Sequence, residues 1–216
     1  DCYFGLIYFY LIAPVLWSFN FDPVGPEILI ALLGIATVFL VYYVGKKLFS
    51  ESVGLIAAAL YAVSPLVITY SRSAWNPNPM PFITLLILYL LYLAVNNLSW
   101  KYFLGIGFLY GIALQLHYIE LFVGIIIFFF TLFGYFYFKR TNIFILLKQY
   151  LILLSGFIFG FSMFLLFELR HGFPNTKTII NFILHGDRTS TDLTHKTFLQ
   201  IIQNVFFRVF GRTIWH

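Results

Sequence analysis

The sequence predicts an all-α, polytopic transmembrane helical bundle of about six spans, with one further short segment that either crosses or lies at the outer membrane surface. Composition is the first observation behind this. Of 216 residues, 61% are apolar and 10% charged, and mean hydropathy is +0.91. Soluble domains are nearer half apolar and a quarter charged. The second is pattern: from Ile28 to Glu168 the chain is a series of apolar runs broken by isolated charges and short polar links, as serial helical crossings require. The third is the gathering of lysine and arginine in alternate links. Together these exclude a soluble enzyme of this length. An aromatic content of 22% excludes a disordered chain. The runs do not alternate, which excludes a transmembrane β-barrel.

In chain order, residues 1–27 form an outer juxtamembrane segment. Tyr3–Phe19 is apolar and aromatic but short, and Pro14 interrupts it; it is either a span or a helix at the surface. Residues 28–169 form the bundle. Its six apolar runs are Ile28–Val44, Val53–Tyr70, Met80–Val95, Tyr102–Leu116, Leu121–Phe138 and Tyr150–Phe167. The stretch from Tyr102 to Phe138 would measure about 55 Å as one helix, far too long for one crossing. A hairpin turning at the polar cluster His117-Tyr118-Ile119-Glu120 resolves it. Residues 170–216 form an outer polar loop. Within it Phe198, Ile201, Ile202, Val205, Phe206 and Val209 recur at helical spacing, as in an amphipathic interfacial helix, the alternative being a polar lead into another span.

Lys46, Lys47, Lys101, Lys139, Arg140 and Lys148 fall in links on one side, and the opposite short links carry only Arg72. The positive-inside asymmetry places the basic links in the cytoplasm and the links around Arg72 and His117 outside. The expected location is the plasma or inner membrane, multi-pass, with the active face extracytoplasmic. Gly107–Gly111 and Gly156–Gly160 are small-xxx-small pairs that predict close helix packing. Asn97-Leu98-Ser99 matches a glycosylation acceptor but lies in a cytoplasmic link, where it goes unused. With Cys2 alone no disulfide framework forms. The net charge of +5 is not arranged in any run that tracks a phosphate backbone, so nucleic acid is not a partner.

The polar residues outside the basic links collect on the outer side. The candidate substrate-binding set is Arg72, Trp75, Asn76, Asn78, His117, Tyr118, Glu120, Glu168, Arg170 and His171. Ionisable groups at membrane depth are expensive and have partners or work to do. Arg72-Ser73-Ala74-Trp75-Asn76-Pro77-Asn78-Pro79 is the most informative stretch. Its prolines, with Pro81, end one helix and start the next. Arg72 either holds a phosphate oxyanion or snorkels to lipid headgroups, with Trp75 in the aromatic belt. His117 and Glu120 are close enough in sequence to touch, as a polar pair capping the hairpin. They are too few for a metal site. Glu168 and Arg170 read as a membrane-edge ion pair. No Gly-rich phosphate loop or nucleophile elbow is present, and no cofactor is evident.

The order of these features is similar to a known superfamily. Gly5-Leu6-Ile7-Tyr8-Phe9-Tyr10-Leu11 precedes Asn20-Phe21-Asp22-Pro23. Then come a run ending Gly45-Lys46-Lys47-Leu48-Phe49 and one ending Ala62-Val63-Ser64-Pro65-Leu66-Val67-Ile68-Thr69-Tyr70-Ser71-Arg72. Gln115-Leu116-His117-Tyr118 and Phe167-Glu168-Leu169-Arg170-His171 follow. This resembles the dolichyl-phosphate-mannose-protein mannosyltransferase and aminoarabinose-transferase-like superfamily of polytopic GT-C glycosyltransferases. The resemblance implies sugar transfer from a polyprenyl-phosphate-linked donor on the outer face, to an acceptor the sequence does not name. It also implies an acidic base or metal ligand in a first outer loop. That carboxylate is expected upstream of Asp1, making the chain a fragment that lacks its first span and is inactive alone; a divalent metal is thus admitted by the resemblance. The same likeness makes Tyr3–Phe19 an outer juxtamembrane helix. Where the family has an outer-loop Arg followed by an Asp, this chain has Arg72 followed by Asn76 and Asn78. The rival reading is a transporter or lipid flippase with an outward-facing polar cavity, although neither intramembrane charges nor inverted repeats appear.

Overall fold

In a computed structural model, residues 6–138 and 142–185 are described, and among them the regular structure is helical throughout. The chain runs through α1 (Leu6–Ser18), α2 (Val24–Leu48), α3 (Glu51–Ala62), α4 (Pro65–Tyr70), α5 (Met80–Asn97), α6 (Trp100–Leu116), α7 (Leu121–Tyr137), α8 (Ile143–His171) and α9 (Pro174–His185). Cys2–Phe173 is one compact unit, and α9 falls outside it. The predicted interfacial helix near residues 198–209, together with Lys139 and Arg140, lies outside the described residues.

Four segments are long and apolar enough to cross a membrane: Val24–Leu48, Met80–Asn97, Tyr118–Tyr137 and Ile143–His171. The outer surface of the bundle is crowded with exposed Phe, Leu, Ile and Tyr side chains. In water such a surface would aggregate; in hydrocarbon it is the appropriate face. The apolar run 53–70 is broken, because α3 stops at Ala62 and α4 restarts after Ser64 with Pro65 in its first turn. With 13 residues, α1 extends only about 20 Å and carries Pro14.

Element boundaries correct one part of the charge reading. Lys46 and Lys47 occupy the last turn of α2, Lys101 the first turn of α6, and Lys148 the second turn of α8. These lysines therefore stand on helix ends rather than in loops, and Lys46 reaches Glu51 across the α2–α3 turn at 2.9 Å. Ser50 caps α3 by accepting from the Val53 N–H.

The core sits where α5, α6, α7 and α8 meet, around Ile87, Leu91, Phe103, Ile106, Val123, Ile127 and Leu153. α6 is the central helix, packing on α8, α5 and α1. The expected small-residue contact is present. A Cβ on Gly111 would lie 2.6 Å from the Phe157 carbonyl oxygen, and one on Gly107 would strike the Leu153 carbonyl. Reciprocally, Gly156 faces the Leu104 carbonyl and Gly160 the Phe108 carbonyl. Because Gly107 meets 153 and Gly111 meets 157, α6 and α8 run parallel in register. A second close approach joins α2 to α3, where a Cβ on Gly45 would lie 2.8 Å from the Gly54 Cα.

Candidate functional site

Loop 71–79 links α4 to α5 and is built around one side chain. The Asn78 amide nitrogen donates to the Tyr70 carbonyl at 2.7 Å, to the Ser73 carbonyl, and to the Ser73 hydroxyl at 3.3 Å. A carboxylate at this position could not make these bonds, since an ionised Asp only accepts. Asn78 is thus the staple of the loop. Trp75 stacks on Tyr70 with ring centroids 6.2 Å apart and stays 54% exposed. Asn76 is half-buried. Arg72 is exposed, and its guanidinium has no hydrogen-bond or ion-pair partner among the described residues.

Beneath the loop lies a cavity of about 380 Å³. Ile30, Gly34 and Thr37 of α2 form one wall, and Tyr61, Leu66, Val67 and Tyr70 of α3 and α4 form another. Trp75, Pro77 and Asn78 roof it. The break between α3 and α4 bends the chain around this space. The lining is apolar apart from a few hydroxyls and the Asn78 amide.

The predicted hairpin forms at His117, whose extended backbone (φ −160°, ψ 137°) ends α6. A single 3-10 turn, Tyr118–Glu120, leads into α7. One reading made from spacing is corrected here. His117 does not pair with Glu120: its Nδ1 accepts from the Ile119 N–H at 3.2 Å, and its ring stacks on Tyr118 at 4.5 Å. Glu120 instead turns inward, only 2% exposed, and its Oε1 accepts from the Thr84 hydroxyl of α5 at 2.7 Å. The other carboxyl oxygen, Oε2, is buried without a hydrogen-bond partner among the described residues. A carboxyl group stripped of water needs donors or a proton, so Glu120 has unused capacity to bind a donor. Tyr118 is exposed.

The remaining candidates stand on the last turn of α8. Glu168 is 2% exposed, while Arg170 and His171 are exposed. The His171 Nδ1 lies 2.9 Å from the Phe167 carbonyl oxygen and its ring stacks on Phe167. Gly172, left-handed at φ 72°, ends the helix. Arg170 and His171 thereby complement the negative end of the helix dipole.

Arg72, Trp75, Asn76 and Asn78 are therefore gathered in one loop over one cavity, and Glu120 is tied to α5 six residues beyond Asn78. Thr84 was not foreseen; a hydroxyl one turn into an apolar helix was its only trace in the sequence. Gln115 is also buried, at 1% exposure, and its amide donates to the Gly160 carbonyl at 2.8 Å, bridging α6 to α8. Among the described residues no three His, Cys, Asp or Glu side chains converge to hold a metal.

No curated protein and no solved structure matches the chain. A family model does: the one described as dolichyl-phosphate-mannose-protein mannosyltransferase matches residues 5–167. That interval covers well over half of the chain and includes α1 to α7, the loop over the cavity, and α8 to within its last turn. A helical membrane bundle and a match of this extent agree, and the chain belongs to the dolichyl-phosphate-mannose-protein mannosyltransferase family of membrane glycosyltransferases.

Proposed function

We propose that this chain serves the transfer of a sugar from a polyprenyl-phosphate donor to an acceptor on the extracytoplasmic face of the cell membrane. In this reading it crosses the bilayer six times, through α2, the broken pair α3–α4, α5, α6, α7 and α8. The 17 residues of α6 fall short of the roughly 20 needed for a full crossing, and the shortfall leaves His117 and Glu120 at the floor of a protein-lined vestibule.

The single observation that carries the reading is an apolar cavity roofed by a loop that carries an unpartnered, exposed arginine. A polyprenyl phosphate is a long apolar tail ending in an anion. The cavity between α2 and α3–α4 suits the tail, and Arg72, next in the chain to the lining residue Ser71, suits the phosphate. Transfer breaks the bond between the sugar's anomeric carbon and the phosphate oxygen and forms one to the acceptor oxygen, whose proton passes to a general base. Negative charge grows on the departing phosphate, where a fixed cation stabilises it. A guanidinium makes two charge-assisted hydrogen bonds in a planar fork, which an ammonium cannot copy.

The test is transfer by the intact protein in its own membrane. Arg72→Ala should cost about one to two decades in transfer, from the roughly 1.5–3 kcal/mol of a charged hydrogen bond. Arg72→Lys should retain part of the activity, and both variants should reach the membrane in normal amounts. Undiminished transfer by Arg72→Ala would make Arg72 a headgroup anchor and remove the site.

A further inference from the structure

At the opposite end of the α6–α8 contact lies a second groove, of about 460 Å³. Leu104, Gly105 and Phe108 form its α6 wall, and Gly156 and Phe159 its α8 wall. The tilted Phe108–Phe159 pair, with centroids 5.5 Å apart, closes the far end. Lys101 lines the near end beside Trp100, which is 54% exposed. The volume is within the roughly 300–1,000 Å³ of small-ligand pockets.

Its charge is one-sided. Lys101 is exposed and has no partner among the described residues. The Ser99 side chain makes no capping hydrogen bond, so the first N–H groups of α6 are also unclaimed by it. Helical register adds a second cation. Lys148 is 11 residues before Phe159, three turns along α8 on nearly the same face. With Gly156 opposite Leu104, Lys148 stands about 8 Å beyond the level of Lys101 along the parallel pair. Lys148 is exposed too.

We propose that this groove is a binding site for one anionic phospholipid. An acyl chain lies against Leu104, Gly105 and Phe159, and the phosphodiester is held by Lys101 with Lys148 beside it. In a bilayer some chain must fill an apolar groove. Two unpaired cations at its mouth decide that the headgroup is anionic, and Trp100 occupies headgroup depth. The lysine stems are long enough to follow the phosphate to the interface. This site is remote in sequence from Arg72 and does not depend on the transfer reaction.

Native mass spectrometry of the intact detergent-purified protein, with phosphatidylglycerol and phosphatidylcholine of equal chain length, tests it. The parent should retain phosphatidylglycerol preferentially. Lys101→Ala and Lys148→Ala should each lower that preference about fivefold, given the worth of one lysine near an anionic surface. The double variant should abolish it, and Lys101→Arg should keep it. Gly105→Leu fills the groove, because a Cβ there meets only the Leu90 Cδ1 at 3.9 Å; it should weaken retention of both lipids without changing the melting profile. Equal retention of the two lipids by the parent would overturn the proposal. So would a double-alanine variant that keeps the preference, or undiminished binding by Gly105→Leu.

Discussion

Between α6 and α8 the atoms in contact are backbone: glycine Cα against carbonyl oxygens of Leu104, Phe108, Leu153 and Phe157. In loop 71–79 they are side chains: the Asn78 amide on two carbonyls and a hydroxyl, and Trp75 on Tyr70. The first region is held by the absence of side chains, the second by their presence. In hydrocarbon, close backbone approach is a main source of helix association, because apolar side chains gain nothing by leaving lipid for protein. At the membrane edge water competes, and a loop there keeps its shape only if a few polar groups are used several times over. A scaffold made the first way supports a site made the second way, and the two should fail differently.

The largest expected effect is on the scaffold. Gly107→Leu places a side chain into the Leu153 carbonyl. Overpacking costs about 1–3 kcal/mol where neighbours can shift; here the neighbour is a helix backbone. The folded fraction in detergent should fall sharply, together with transfer, and Gly107→Ala should already lower the melting temperature despite alanine's better helix propensity. Gly134→Ala makes the contrast. Its Cβ meets the Val95 side chain, most closely a methyl group, so adding Val95→Ala should recover much of the melting temperature. If Gly107→Ala melted like the parent, the α6–α8 contact would be looser than described.

A smaller and more local effect is expected at Asn78. Asn78→Asp removes three donor contacts and sets a carboxylate against two carbonyl oxygens. The cost should be about 1–2 kcal/mol, confined to loop 71–79. Transfer should fall and proteolysis near residues 73–76 should rise, with no change in bundle melting. Equal loss of bundle stability would mean that loop and scaffold are not separable.

The smallest effect is at the α2–α3 turn, where an ion pair supports a glycine contact. Lys46 and the Tyr42 hydroxyl, both bonded to the Glu51 carboxyl, hold it below its ordinary range, with the Lys46 bond the larger cause. A depressed folded value means the contribution is full above the unfolded carboxylate range and is lost as pH falls through the folded value. The parent should therefore lose melting temperature slightly more than Glu51→Gln on acidification from pH 7 toward pH 3. The pair is open to solvent, so the difference should shrink in high salt. Identical acid profiles would show that the turn stands on Gly45 and Gly54 alone.

The glycine contacts were legible in the sequence because spacing four apart on an apolar run has one geometric meaning. The hairpin at His117 was legible because the mainly apolar stretch 102–138 is too long for one crossing. The break after Ala62 was missed: Ser64-Pro65 lay inside a run read as one span, where hydropathy outweighed the proline. Glu120 was found, but its partner was misassigned. Sequence separation suggested His117, while the contact is with Thr84, 36 positions away, and only the packing of α7 against α5 brings them together. Asn78 was noted as a departure from an acidic pattern. Its work as a donor depends on which carbonyls the loop folds back toward, and that is not written in local spacing.

The carbonyl-lined contact between α6 and α8 also constrains how the chain can drift over generations. A side chain that intrudes on another side chain can be accommodated by a second substitution, as at Gly134 and Val95. One that intrudes on a carbonyl oxygen cannot, because every amino acid carries the same carbonyl. Each of Gly107, Gly111, Gly156 and Gly160 is therefore irreplaceable one at a time. The route away from any of them is a slide of one whole helix along the other, which changes all four positions together. Among descendants of this chain the four should persist as a set or vanish as a set, and that linkage would record the crossing geometry even after the surrounding apolar residues had been reshuffled.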